Sequence, residues 1–71
     1  MAEHNYYSRA IIRLKDVLRL TGLSRTTLYE KVNPRSSRYD PSFPKRVSLG
    51  DRAVGWKLQE IEEWIDCTKR I

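Results

Sequence analysis

With a single cysteine, Cys67, the chain can form no internal disulfide, and with a single histidine, His4, it lacks the paired ligands that a zinc site needs. Its three glycines stand apart at Gly22, Gly50 and Gly55, so no glycine-rich loop is available to cradle a nucleotide phosphate. No nucleophile stands with a base, and the carboxylates near the C-terminus have no enclosing pocket to tune them, so no catalysis, metal or cofactor is expected. No apolar run is long enough for a signal peptide or a membrane-spanning helix, and the expected location is the cytoplasm. Cys67 is expected on the side of a helix as a small, partly buried residue.

What the chain does have is positive charge, unevenly spread. Seventy-one residues allow one domain, and a domain this small buries only about 60% of the surface its unfolded chain exposes, which leaves no room for a deep substrate cleft. The net charge is +5, but residues 1–57 carry twelve basic and five acidic side chains, whereas residues 58–71 carry two and four. A front of +7 against a tail of −2 points to an anionic partner docking on the front, as when Lys and Arg displace the counterions condensed on nucleic acid. A membrane surface would want a long helix with one basic and one bulky apolar face. The basic residues here fall in turns and between short elements instead.

The stretch Leu14 to Val32, LKDVLRLTGLSRTTLYEKV, organises the rest. Leu14, Val17, Leu18 and Leu20 are read as the apolar stripe of a first helix, and Leu28 and Val32 as one face of a second. Between them Gly22 is placed to take a left-handed backbone, Leu23 to plug the angle and Ser24 to cap the second helix, the spacing of a helix-turn-helix. Arg25, Thr26, Tyr29, Glu30 and Asn33 then point outward, a set of donors, acceptors and an aromatic edge suited to base edges and phosphates in a major groove. A plain helical hairpin with a polar outside is the competing reading of this segment alone.

Around that stretch, Met1 to Arg9 is polar and without period, and is read as a flexible tail. Residues 10–71 are read as one domain. Ala10 to Arg13 is a short β-prone run that could pair with a later hairpin. Asn33-Pro34 ends the second helix. The loop that follows carries Arg35 and Arg38, placed to touch phosphates, and Phe43, expected to pin the loop to the core. Lys45 to Leu49 and Arg52 to Lys57, joined at Gly50-Asp51, alternate apolar and polar residues as a β-hairpin does. This hairpin is expected to be a wing, with Lys45, Arg46 and Arg52 laid against the DNA backbone or into the minor groove. Gly55 inside its second strand marks a close approach or a bulge that seats Trp56. Leu58, Ile61, Trp64, Ile65 and Thr68 recur at helical spacing, predicting a third helix from Leu58 to Arg70.

RLKDVLRLTGLSRTTLY at Arg13–Tyr29, FPKRVSLGDRAVGWK at Phe43–Lys57 and EIEEWI at Glu60–Ile65 together resemble the AlpA family of small phage and prophage regulators. That family is related to the excisionases and to the winged DNA-binding heads of MerR-type regulators. The resemblance implies an α+β, mostly α fold: a winged helix-turn-helix with a two- or three-stranded wing and a closing third helix. It puts Ser24, Arg25, Thr26, Thr27 and Tyr29 where the family's recognition helix meets DNA, and Arg46 and Arg52 where its wing lies. Glu30 departs from it, standing where a basic residue is expected. Its carboxylate is therefore expected to accept from a cytosine or from a neighbouring arginine. The loop from Pro34 to Ser42 is longer than the usual connector.

The expected function is that of a sequence-specific, double-stranded DNA-binding transcriptional regulator of phage, prophage or mobile-element type. An excisionase that bends an attachment site needs the same small basic module, and residue types do not separate the two. A protein-interaction adaptor with a basic docking face is the alternative from another class. RNA polymerase or an integrase are the protein partners that the first two roles imply. Because one module covers little DNA, a homo-oligomer assembled on adjacent sites is also expected.

Overall fold

A computed structural model describes residues 9–68 of the chain. The expected tail lies outside them except for Arg9, which is exposed, and so do Lys69 and Arg70. Strand β1 (Ile11–Ile12) leads into helices α1 (Leu14–Thr21) and α2 (Arg25–Val32), followed by strands β2 (Val47–Ser48) and β3 (Val54–Lys57) and helix α3 (Leu58–Asp66). The strands form one antiparallel sheet in the order β1-β3-β2. The architecture is a small α+β winged helix-turn-helix, mostly helical, and the β-prone run at Ile11 does pair with the hairpin, as its third strand.

Each part of the chain sends one side chain to the centre. Val17 from α1, Leu28 from α2, Phe43 from the loop, Trp56 from β3 and Ile61 from α3 are the buried hydrophobic residues, and Ile12, Leu14, Leu18, Leu23, Val32, Trp64 and Ile65 pack around them. Because the centre needs all of these elements, none of them has a core of its own, and cooperative folding follows.

The turn between α1 and α2 forms by the chemistry its residues predict. Gly22 takes φ 75°, ψ 8°, a left-handed conformation that costs an L side chain dearly, and its N–H donates to the Leu18 carbonyl at 2.9 Å. Two residues later the Ser24 hydroxyl accepts from the Thr27 N–H at 3.1 Å and closes the first turn of α2. Leu20 does not join the apolar stripe. It is 47% exposed, because at 100° per residue it stands roughly 110° round the helix from the centre of the Leu14, Val17 and Leu18 stripe. Thr21 fills the inward position instead, and its hydroxyl donates back to the Val17 carbonyl at 2.7 Å.

The wing also differs from its expected outline. Val47 pairs with Gly55 and Ser48 with Val54, and the Leu49 N–H donates to the Ala53 carbonyl at 2.7 Å, so Arg52 belongs to the tip along with Gly50 and Asp51. Gly55 sits in the central strand where its neighbours close in: a Cβ there would stand 2.6 Å from Ile11 Cγ2 and 2.9 Å from the Ile12 carbonyl oxygen. The glycine is what lets β1 and β2 flank β3 this tightly. Helix α3 stops at Asp66, short of Arg70. Cys67 follows it exposed rather than partly buried, and Thr68 is exposed rather than part of the inward stripe, its hydroxyl donating to the Trp64 carbonyl at 2.9 Å. Among the described residues no helix is long and apolar enough to cross a membrane.

Candidate nucleic-acid interface

Helix α2 divides by face. Leu28 is buried and Lys31 is turned inward, while Arg25, Thr26, Tyr29 and Asn33 are exposed, Tyr29 at 44%, and Glu30 is half-buried at their edge. Arg25, Tyr29, Asn33, Thr26 and Glu30 span about 140° of the helix at 100° per residue, one continuous outward surface. Ser24 and Thr27 stand at its N-terminal rim with their hydroxyls joined at 2.9 Å. They close the first turn of α2, with Ser24 exposed and Thr27 half-buried.

Beside the first turn of α2, α1 and the wing enclose a groove of about 350 Å³ lined by Arg13, Leu14, Lys15, Arg25, Tyr29, Arg46, Arg52, Val54 and Trp56. Five of these side chains are cations and none is a carboxylate. Three of the cations, Arg25, Arg46 and Arg52, are readable from the sequence as recognition-helix or wing residues. Arg13 and Lys15 are not. They flank the first residue of α1, and only the pairing of Ile11 with Lys57 and Ile12 with Trp56 brings them beside the wing. The β-prone run at residues 10–13 was the sequence signal for that pairing.

The remaining predicted contacts lie elsewhere. Arg35 and Arg38 are exposed on the loop after α2, at the far end of the helix from the groove, and Lys45 borders one hollow against α3 and another between the loop and the end of α2. The loop is a chain of turns. The Asn33 side chain accepts from the Arg35 N–H at 3.0 Å, the Ser36 hydroxyl accepts from the Arg38 N–H at 3.0 Å, and the Ser36 N–H donates to the Asn33 carbonyl at 2.9 Å. Glu30 is partnered by an arginine from this loop: Arg38 approaches its carboxylate at 3.7 Å. The acidic residue on α2 thus faces one of the loop's two arginines.

Lys31 and Asp40 fasten the loop's other end. The Asp40 N–H donates to the Lys31 carbonyl at 3.0 Å, the Lys31 ammonium lies 3.6 Å from the Asp40 carboxylate, and it sits 5.5 Å from the centre of the Trp64 ring. Phe43, buried as expected, meets Trp64 edge to face at 4.9 Å. The Ser42 hydroxyl donates to Asp40 at 2.6 Å, and this bond, aided by the Ser42 N–H and the Lys31 charge, holds the Asp40 carboxyl below its ordinary 3.8 despite some desolvation. A lowered folded-state value means the ionised form supports the fold. That support is complete above the unfolded value of 3.8 and is lost as pH falls through the folded value. Asp40→Asn is therefore expected to lower the urea midpoint near neutral pH, with the gap to the parent closing below about pH 4. An equal gap at all pH values would assign the loss to shape and not to charge.

A larger hollow of about 650 Å³ lies against α3, but Asp40, Glu60 and Glu63 line it, and it would repel a phosphate. Of these three hollows, the groove between α2 and the wing is the one lined by cations without a carboxylate, and it is continuous with the outward face of α2.

Residues 10–70 match the family described as Prophage CP4-57 regulatory protein (AlpA). The chain belongs to the AlpA family. It is 49% identical over 55 residues to the DNA-binding transcriptional activator AlpA of Escherichia coli (strain K12), covering 78% of this chain and 79% of that protein. It is also 37% identical over 54 residues to the uncharacterized protein ORF88 of Enterobacteria phage P4, where the match takes in 76% of this chain and 54% of the relative. No solved structure matches it significantly. The AlpA match at residues 10–70 runs through both helices, the loop, the wing and α3, so it covers every element that builds the groove.

Proposed function

We propose that this AlpA-family chain is a sequence-specific, double-stranded DNA-binding transcriptional regulator, with residues 10–71 acting as one DNA-binding domain. Helix α2 enters the major groove with Arg25, Thr26, Tyr29 and Asn33 forward, while the wing lies on the adjacent backbone. The observation that carries this reading is the groove with five cations and no carboxylate, opening beside the one exposed polar face of α2. DNA supplies the matching partner, phosphates along its edge and base edges within it. The E. coli relative, a DNA-binding transcriptional activator by name, supports the regulatory role over the excisionase role.

Glu30 and Arg38 place a carboxylate and a guanidinium together at the far end of this surface, so its positive charge is lower there than in the groove. One module of this size covers about 600–1,000 Å² of interface, so useful specificity calls for two or more copies on adjacent sites. Footprinting of the purified protein on its own genomic neighbourhood tests the whole reading. The expected result is a salt-sensitive footprint made of repeated short sites at a promoter. Failure to protect any DNA would sink it, and strong bending of circularly permuted fragments with several bound copies would favour excision instead.

A further inference from the structure

The floor of the cationic groove holds a feature that the DNA-binding reading does not use. Trp56 lines the groove and is 1% exposed, yet its indole Nε1 is buried without a hydrogen-bond partner among the described residues. A buried N–H left without an acceptor is unfavourable and uncommon in folded proteins. Two further observations bear on the same place. Arg13, at the cap position of α1, gives that helix no side-chain cap, and the first two residues of α1 line the groove. The charged side chains there, Arg13, Lys15, Arg25, Arg46 and Arg52, are all donors. The ligand that satisfies a wall of donors with no carboxylate is an anion offering several oxygens.

We propose that this groove seats a phosphate group, a phosphodiester of the DNA backbone, and that the Trp56 indole N–H donates to one of its oxygens beneath the surrounding cations. This rests on the DNA-binding reading and names the group bound at one point of it. The groove runs between the first turn of α2 and the wing, so a strand whose bases meet α2 passes its backbone over this floor. The long arginine and lysine side chains have the rotamer freedom to part around the phosphate and close on it. Trp56 thereby joins two tasks: its ring fills the core and its N–H donates to the ligand.

Two-dimensional ¹H–¹⁵N spectra of the full chain test this, because each tryptophan gives its own indole N–H signal and Trp64→Phe assigns the pair. The titrants are a mixed-sequence DNA duplex at low salt and, separately, inorganic phosphate at the same phosphate concentration. The duplex is expected to move the Trp56 signal strongly and the Trp64 signal little, and inorganic phosphate is expected to leave both in place. An equal Trp56 shift with inorganic phosphate would assign the site to a free phosphate and overturn the backbone assignment. Backbone amide shifts on α2 with an unmoved Trp56 signal would refute the inference while leaving the DNA-binding reading intact. No shift anywhere would sink both. Trp56→Phe, where it folds, is expected to lose about tenfold in duplex affinity with an unchanged salt slope, since it removes a donor to a charged group and no charge. Unchanged affinity in that variant would also refute the inference.

Discussion

Trp56→Ala is expected to strip this fold of a large share of its stability. Trp56 sits in the central strand of the sheet, opposite Ile12, and is the largest of the fully buried side chains. Truncating a buried tryptophan costs about 3–5 kcal/mol, because the lost transfer free energy is joined by a cavity that the neighbours fill only in part. At the usual stability per residue a chain of this length holds only about 4–11 kcal/mol in all. The collapse of this cavity would also be limited, since the tight approach at Gly55 already fixes how β1 and β2 flank the strand. Urea unfolding followed by circular dichroism gives the measurement, with Leu20→Ala as the reference. Leu20 is 47% exposed, and its truncation should change stability by no more than about 0.5 kcal/mol. A loss below about 1 kcal/mol in Trp56→Ala would mean that the elements do not share one core.

The contrast between these two apolar residues also shows how far the sequence could be read. Periodicity and cap chemistry are local, so the helix-turn-helix is legible from its apolar stripes with Gly22 and Ser24 between them, and the wing from alternation on either side of Gly50. Leu20 is not legible in this way: it is apolar, but at a spacing of six from Leu14 the helical angle turns it away from the stripe and leaves it exposed. The extent of α3 was overread for a related reason: Thr68 has the right spacing, but its hydroxyl bonds the Trp64 carbonyl at the helix end. The candidate site was legible only in part. Arg25, Arg46 and Arg52 follow from their places on a helix and a wing, whereas Arg13 and Lys15 enter the groove through the pairing of β1 with β3, a contact across more than forty residues. For Glu30 the sequence leaves two partners, a cytosine or a neighbouring arginine, and that an arginine, Arg38, reaches it depends on how the turns of the loop are folded.

Arg25→Ala and Arg52→Ala are expected to weaken DNA binding in different ways, and the difference locates α2. Both side chains line the cationic groove, but Arg25 begins α2 and is also part of its outward face, whereas Arg52 lies at the wing tip. An arginine that reads a base contributes about 1–3 kcal/mol of discrimination at that position, so Arg25→Ala should lose roughly 5- to 150-fold on the footprinted site. It should also tolerate substitutions at one base position that the parent rejects. Arg52 offers charge to the backbone, so its loss should weaken cognate and scrambled duplexes alike and lower the slope of log affinity against log salt by about one. Gel-shift titrations at several salt concentrations, on the cognate site and on single-base variants, separate the two patterns. If Arg25→Ala behaves as Arg52→Ala is expected to, its guanidinium serves the phosphate in the groove and base reading falls to Thr26, Tyr29 and Asn33. If it changes neither affinity nor preference, α2 is not the helix that meets DNA, because no other residue stands both on that face and in the groove except Tyr29.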